Sequence, residues 1–296
     1  MNKNVDNLMP QSTIKHSVNF EGIGLHSGEM VRMTLSPAPV DTGIIFRRSD
    51  LISAPEIKLS VSGMQEAIMC SKLISGDYSI STIEHLISAI CAFSIDNLYI
   101  DLDAQEVPVF DGSSRVFVQA FESMSVISQT KPRSYIKILN PISVKQDDQW
   151  VKLLPNSPGD NNLHFKVGID FSHPAISSTP QNVEFTLSKR GFITQVAHAR
   201  TFGFASDLDK LHANKLALGA SLDNAIGLSE SGILNDSGLR YEDEFVRHKL
   251  LDAIGDIYVV GPIIGLYEAF KPSHALNHRC LKELLLQEDN GSFFKK

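Results

Sequence analysis

Apolar residues alternate with polar ones along the first stretch of the chain: Ile14, His16, Val18 and Phe20 mark one register, Glu21 to Gly28 turns, and Val31, Met33 and Leu35 alternate again. A period of two predicts strands, so this stretch reads as a hairpin. Helical spacing follows from about Ser81 to Phe93, then a strand at Asn97 to Leu102, a turn at Phe110 to Gly112, and a second helix ending at Met124. Ser125 to Pro132 is short, polar and closed by proline, which marks it as the linker between two halves. Strands are predicted near Tyr135 to Leu139, Trp150 to Leu154 and Leu163 to Phe171, with a helix-rich remainder. Strands and helices are grouped more than strictly alternated, which points to an α+β class.

One late segment carries more than a fold signal. Val246, Leu250, Ala253, Ile254 and Ile257 recur on a 3.6-residue period, so a helix gathers them on one side. His248, Asp252 and Asp256, spaced by four, then stack along the opposite edge, clear of the core face. Gly255 lies beside them and leaves room. That edge suits a metal ion; a solvated His/Lys/Asp/Asp stripe meets the same spacing.

Composition sets the context. The chain has 296 residues, 43% hydrophobic and 21% charged, as an ordinary globular protein does. At roughly one domain per 150 residues this length suggests two. A formal charge of -7, with no clustered excess of Lys and Arg, argues against nucleic-acid binding and leaves room only for local basic pockets. Met1 to Pro10 is polar, and the longest apolar run, Ile257 to Tyr267, is broken by Gly261, Pro262 and Gly265, so neither a signal peptide nor a membrane helix is expected. Three widely spaced cysteines, Cys70, Cys91 and Cys280, fit a reducing cytoplasm without disulfides. No Cys-x-x-Cys pair or His-Glu-x-x-His motif is present, so a zinc ribbon and the common metalloprotease arrangement are both excluded.

A second candidate cluster is Ser81 to Leu86, where Glu84 and His85 stand side by side at a helix start. Ser81 followed three positions later by Glu84 reads as a capping box, which needs no catalysis to explain it. Combined with His248 and Asp252, however, the pair completes two imidazoles, one carboxylate and one adjacent acid. Three N and O ligands leave zinc an open position for water, and a separate carboxylate is needed to take the proton from that water. A third cluster, Lys271-Pro272-Ser273-His274, offers a loop histidine whose default state is simple exposure. Beside Asp256 its imidazolium would be favoured, making it a proton donor.

Across nearly its whole length the chain resembles the UDP-3-O-acyl-N-acetylglucosamine deacetylases, the zinc amidases at the committed step of lipid A synthesis in Gram-negative bacteria. The resemblance rests on Gly22 to Gly28, Ser81 to Leu86, Asp111 to Ser113, Ala199 to Phe204, Glu242 to Lys249 and His274 to Asn277, in that order. It implies one zinc ion per chain held by His85, His248 and Asp252, with Fe2+ as an alternative occupant. It implies that Glu84 is the general base, that Thr201 and Lys249 stabilise the oxyanion, and that His274, oriented by Asp256, protonates the departing amine. It implies two similar domains, 1–127 and 128–296, each a small sheet backed by two helices, with the active site between them. A β-α-β insert near 203–230 would form a passage for the acyl chain, lined by residues such as Leu208 and Ala217. Phe171 and Phe202 would contact the sugar nucleotide and Lys271 the diphosphate.

The implied partner is the acylated UDP-N-acetylglucosamine, acted on by a cytoplasmic monomer without nucleic-acid or integral-membrane partners. Two positions depart from the family pattern. Gln149 stands before Trp150 where a lysine is frequent, which shifts the expected diphosphate contact to Lys271. Pro272-Ser273 replaces a glycine-containing loop and stiffens it. Cys70 occupies the place of a family cysteine near the metal, and is read as a buried thiol rather than a ligand. A silent sugar-nucleotide or lipid-binding protein and an amidase for another acetamido sugar are the rival readings.

Overall fold

The computed structural model describes residues 9–67, 69–287 and 291–293, so most of the polar N-terminal segment falls outside the described residues. The helices are α1 (Glu84–Ala92), α2 (Arg115–Met124), α3 (Pro174–Ser177), α4 (Lys189–Gln195), α5 (Leu208–Ala213), α6 (Glu244–Ile257) and α7 (His274–Leu286). A five-stranded sheet runs in the order Val18–Ile23, Met30–Pro37, Leu98–Leu102, Ile44–Arg48, Ile57–Lys58. A seven-stranded sheet is built around Ile263–Phe270, which pairs antiparallel with Gln149–Leu154 and parallel with Leu163–Gly168 and Ile136–Ile138. The class is α+β, as the grouping of elements predicts. No helix among the described residues is long and apolar enough to cross a membrane.

The hairpin predicted from the alternation is present as Val18–Ile23 against Met30–Pro37. Ile14, however, ends a separate strand, Pro10–Ile14, because the chain bends between them. That strand has an unexpected partner. Val126–Pro132, expected to be a linker, runs antiparallel to it, pairing Ile14 with Val126 and Pro10 with Pro132. The proline that signals a linker is tolerated because it sits at the end of a two-stranded ribbon, where no further ladder bond is needed.

The remainder of the chain is also less helical than expected. Ile263–Phe270 alternates buried and half-buried residues, but Ile264 and Leu266 on its second face are apolar too, so the period of two is masked in the sequence. Gly265 sits where an added Cβ would lie 2.8 Å from Ile138 and 3.0 Å from the Leu154 carbonyl, the mark of a strand enclosed on both sides.

α1 and α6 pack face to face at the centre of the molecule. Every residue of α1 is buried, and in α6 all but Arg247 and Lys249 are buried. The edge carrying His248, Asp252 and Asp256, expected to escape the core, is enclosed: a helix covered on all sides must place its polar stripe against something, and here it faces α1 and α7. Gly255 allows this. A Cβ there would lie 2.2 Å from the carbonyl oxygen of Glu84. Gly255→Ala should therefore force the helices apart and cost about 1–3 kcal/mol, as overpacking does. Chemical denaturation checks this, and a variant with the wild-type midpoint and slope contradicts the contact.

Candidate active site

The sequence around Glu84 folds differently from the capping box its spacing suggests. Ser81 closes the strand Tyr78–Ser81, Thr82 takes a left-handed φ of 57°, and Ile83 stands at the N-cap without a side-chain cap. Glu84 is thus the first helical residue rather than the third, and its side chain is released from capping. Its Oε2 accepts a hydrogen bond from the Ser71 amide at 3.0 Å instead. Thr82 donates to Glu106 at 2.8 Å, and the same buried carboxylate receives the amides of His26 and Ser27. The turn Gly22 to Gly28 is pinned beside α1 in this way.

His85 from α1 and His248 and Asp252 from α6 converge, each offering a ligand atom within 4.8 Å of the others. Asp252 Oδ1 lies 3.6 Å from His85 Nε2 and 3.4 Å from His248 Nε2. His248 Nδ1 faces the Ala199 carbonyl at 3.1 Å and must donate to it, since a carbonyl only accepts. Burial pushes the His248 imidazole down to about 3, so the ring is neutral and Nε2 presents a bare lone pair. Asp252 Oδ1 is buried and has no hydrogen-bond partner among the described residues. Burial opposes charge on Asp252, but the Lys249 ammonium beside it holds its carboxyl well below the usual range. A lone pair and an anionic oxygen facing each other in a buried site are mutually repulsive, and a cation between them removes the conflict. The donor set fits a divalent metal.

Around this cluster stand the other expected groups. Lys249 donates to Asp252 Oδ2 at 2.8 Å; burial opposes its charge, but Asp252 raises its pKa above the ordinary lysine value. His274, read as a loop residue, is the first residue of α7: Ser273 caps that helix by accepting from the Leu276 amide. The ring is turned inward, with Nδ1 2.8 Å from Asp256 Oδ2 and Nε2 3.9 Å from Glu84 Oε1. Burial opposes the imidazolium, yet the Asp256 carboxylate outweighs it and carries the pKa up to about 9. Asp256 is held far below the usual carboxylate range despite its burial, chiefly by His274. Burial pushes the Glu84 carboxyl up, partly offset by His274 and His85. The geometry thus presents a carboxylate and an imidazolium 3.9 Å apart on the lining of one pocket, a pair suited to general base and general acid work.

That pocket encloses about 500 Å³ and is lined by Glu84, His85, Thr201, His248, Lys249, Asp252 and His274, with Phe171 and Phe202 on its wall. The two phenyl rings meet edge to face at 5.6 Å. Thr201 precedes the strand Phe202–Phe204 and is pinned by its amide to the Gly112 carbonyl at 2.8 Å. Gly112, with φ of 79°, passes so close that a Cβ would lie 2.0 Å from the Asn224 carbonyl. A second cavity of about 310 Å³ adjoins, lined by Leu208, Leu211, Ala217, Leu222, Ile226 and other apolar residues. Its walls come from Phe202–Phe204 and Ile226–Leu228, two parallel strands with α5 between them in sequence. Leu218, by contrast, is half exposed, and Leu216 lines neither cavity. Lys271 also lines neither: its ammonium is bound by Asp148 at 2.6 Å and Asp170 at 2.9 Å, beside the Pro272–Ser273 rim of the first pocket. Cys70 is buried, and its thiol is pushed up to about 12, chiefly by burial.

Sequence reasoning missed His26, Met69 and Lys210, which also line the first pocket, and Ser71 and Asn277, which bond to Glu84 or Asp256. His26 and Asn277 had a signal, their places in the glycine-rich turn and in the His274 to Asn277 segment.

Fold and cluster together define a metal-dependent hydrolase type of site on an α+β scaffold. The family model described as UDP-3-O-acyl N-acetylglycosamine deacetylase matches residues 11–286. The UDP-3-O-acyl-N-acetylglucosamine deacetylase of Thioalkalivibrio sulfidiphilus (strain HL-EbGR7) is 46% identical over 285 residues, 95% of this chain and 92% of that protein. The protein of the same name from Francisella tularensis subsp. tularensis (strain WY96-3418) is also 46% identical, over 95% of this chain and 98% of its own. The chain belongs to this deacetylase family.

His248→Ala should remove one of the three converging donors. Purified without added metal, the variant is expected to carry at least about tenfold less bound metal than the wild type, as deletion of a metal-site group does. Elemental analysis at the wild-type ratio would show that the ion sits elsewhere.

Proposed function

We propose that this protein hydrolyses the acetamide of UDP-3-O-acyl-N-acetylglucosamine to acetate and the free 2-amino sugar, the committed step of lipid A biosynthesis, in the cytoplasm. Family membership supports the substrate. The single observation that supports the chemistry is the pocket lined together by Glu84 and His274, 3.9 Å apart, and by the converging donors His85, His248 and Asp252, beside an apolar cavity. A long acyl chain suits that cavity, and a polar sugar nucleotide suits the outer pocket.

His85, His248 and Asp252 would hold one divalent cation, proposed to be zinc with iron as the alternative, which supplies Lewis acidity toward the acetamide carbonyl. Glu84, free of its cap, accepts the proton of the attacking water. Thr201 and Lys249 line the wall where negative charge develops on the carbonyl oxygen. His274, protonated at neutral pH by virtue of Asp256, gives its proton to the nitrogen as the C–N bond breaks. Phe171 and Phe202 flank the sugar, Leu208 and Ala217 the acyl chain, and Lys271 the diphosphate side. The site lies between two halves, 1–127 and 128–296, each an α+β unit.

Incubation with the acylated UDP-sugar should release acetate, a chelator should stop it and zinc should restore it; a metal-loaded protein that releases none sinks the assignment. Replacing the nucleotide or shortening the acyl chain should lower kcat/KM, and equal turnover of a simple acetamido sugar would favour a different amidase.

Glu84→Ala should keep its metal while kcat falls by about 100- to 10,000-fold, the usual contribution of a general base; undiminished turnover would remove Glu84 from that role. The pH dependence follows from the two shifts. Glu84, raised by burial above the ordinary carboxyl value, must lose its proton, so activity rises across the acid limb. His274, raised to about 9, must keep its proton, so activity falls as pH passes about 9. A kcat/KM profile flat from pH 5 to about 10 would contradict paired acid and base.

A further inference from the structure

Behind the pocket, Ser71 touches both halves of the proposed acid and base pair. It is 1% exposed and stands just before the strand Lys72–Ser75. Its amide donates to Glu84 Oε2 at 3.0 Å, and its hydroxyl lies 2.5 Å from Asp256 Oδ1. An ionised carboxylate only accepts, so the single hydroxyl proton goes to Asp256. The Ser71 oxygen is then left to accept, and His278 Nε2 stands 3.1 Å away to donate. Asp256 Oδ2 is taken by His274 Nδ1 at 2.8 Å and Asn277 Nδ2 at 2.7 Å. His278 Nε2 is also 3.7 Å from Oδ1, farther than the Ser71 hydroxyl.

We propose that Ser71 is a positioning residue for the reaction: its hydroxyl fixes the plane of the Asp256 carboxylate that aims His274, while its amide fixes the carboxylate of Glu84. The inference rests on the deacetylase reading above. Two groups from segments far apart in sequence, the start of α1 and the end of α6, are tied to one residue, so their separation is set by a single rigid contact rather than by two helices independently. Deleting the hydroxyl leaves Asp256 held through Oδ2 alone, by His274 and Asn277, so the plane of the carboxylate and the aim of His274 lose one of their fixed points. It does not touch the pocket wall, because Ser71 lies outside the residues that line it.

The test uses the metal-loaded, full-length protein with the acylated UDP-sugar. Ser71→Ala should lower kcat by about 10- to 100-fold, the scale of a misplaced catalytic group, while KM stays within about twofold and metal content is unchanged. Ser71→Thr, which keeps a hydroxyl, should recover most of the loss. In a His274→Ala background the Ser71→Ala change should cost less than about threefold, because the group it positions is already gone. Wild-type kcat in Ser71→Ala, no recovery with threonine, or the same loss with and without His274 would each overturn the proposal. A wild type that releases no acetate would instead sink the deacetylase reading itself, so the two failures are distinct.

Discussion

Gly255 against the backbone of Glu84 is the contact on which the rest of the site depends. With nothing but a hydrogen where other residues carry Cβ, α6 slides close enough to α1 that His85 from one helix and His248 and Asp252 from the other place their ligand atoms within 4.8 Å. The same closeness excludes solvent from the polar edge of α6. Burial and convergence are therefore one event, produced by one residue's lack of a side chain.

Excluding water raises the stakes of every charge in the cluster, because an unpaired buried charge is costly while a paired one is strongly held. The structure answers each in turn. Asp256 receives three side-chain donors, Lys249 is paired with Asp252, and Glu84 takes a backbone amide. His248 and His274 are driven in opposite directions by their surroundings: burial dominates His248 and leaves it neutral, whereas Asp256 dominates His274 and keeps it charged. One residue type thus supplies a lone pair and a proton donor within a single pocket. Further out, Arg200 and Glu244 form a buried ion pair that fixes the start of α6 beside the Ala199–Thr201 segment, to which His248 and Thr201 both belong by contact.

Much of the fold is legible in the chain because it follows from short-range patterning. The alternation of Val18, Phe20, Val31, Met33 and Leu35 specifies a hairpin, and the spacing of Val246 to Ile257 specifies a helix with His248, Asp252 and Asp256 on one edge. Where the reading fails, a long-range contact has overridden a local signal. Ser81 and Glu84 have capping-box spacing, but Ser81 is committed to a strand ladder with Lys72, so the helix starts later. Val126–Pro132 looks like a linker until Pro10–Ile14 supplies a partner over a hundred residues away. Pro272 and Ser273 look like a loop, yet the serine caps a helix and turns His274 inward.

The order of residues dictates which chemical groups exist and how they are spaced within a turn or a strand, because periodicity, caps and motif order depend on neighbours a few positions apart. Ser71 carries no such signal, for its partner Asp256 is 185 residues distant. The assembled fold is what turns an edge of α6 inward, makes one histidine neutral and another charged, and brings a serine against both Glu84 and Asp256. Those properties depend on dielectric surroundings and on distances of a few ångströms between remote segments, which packing alone sets.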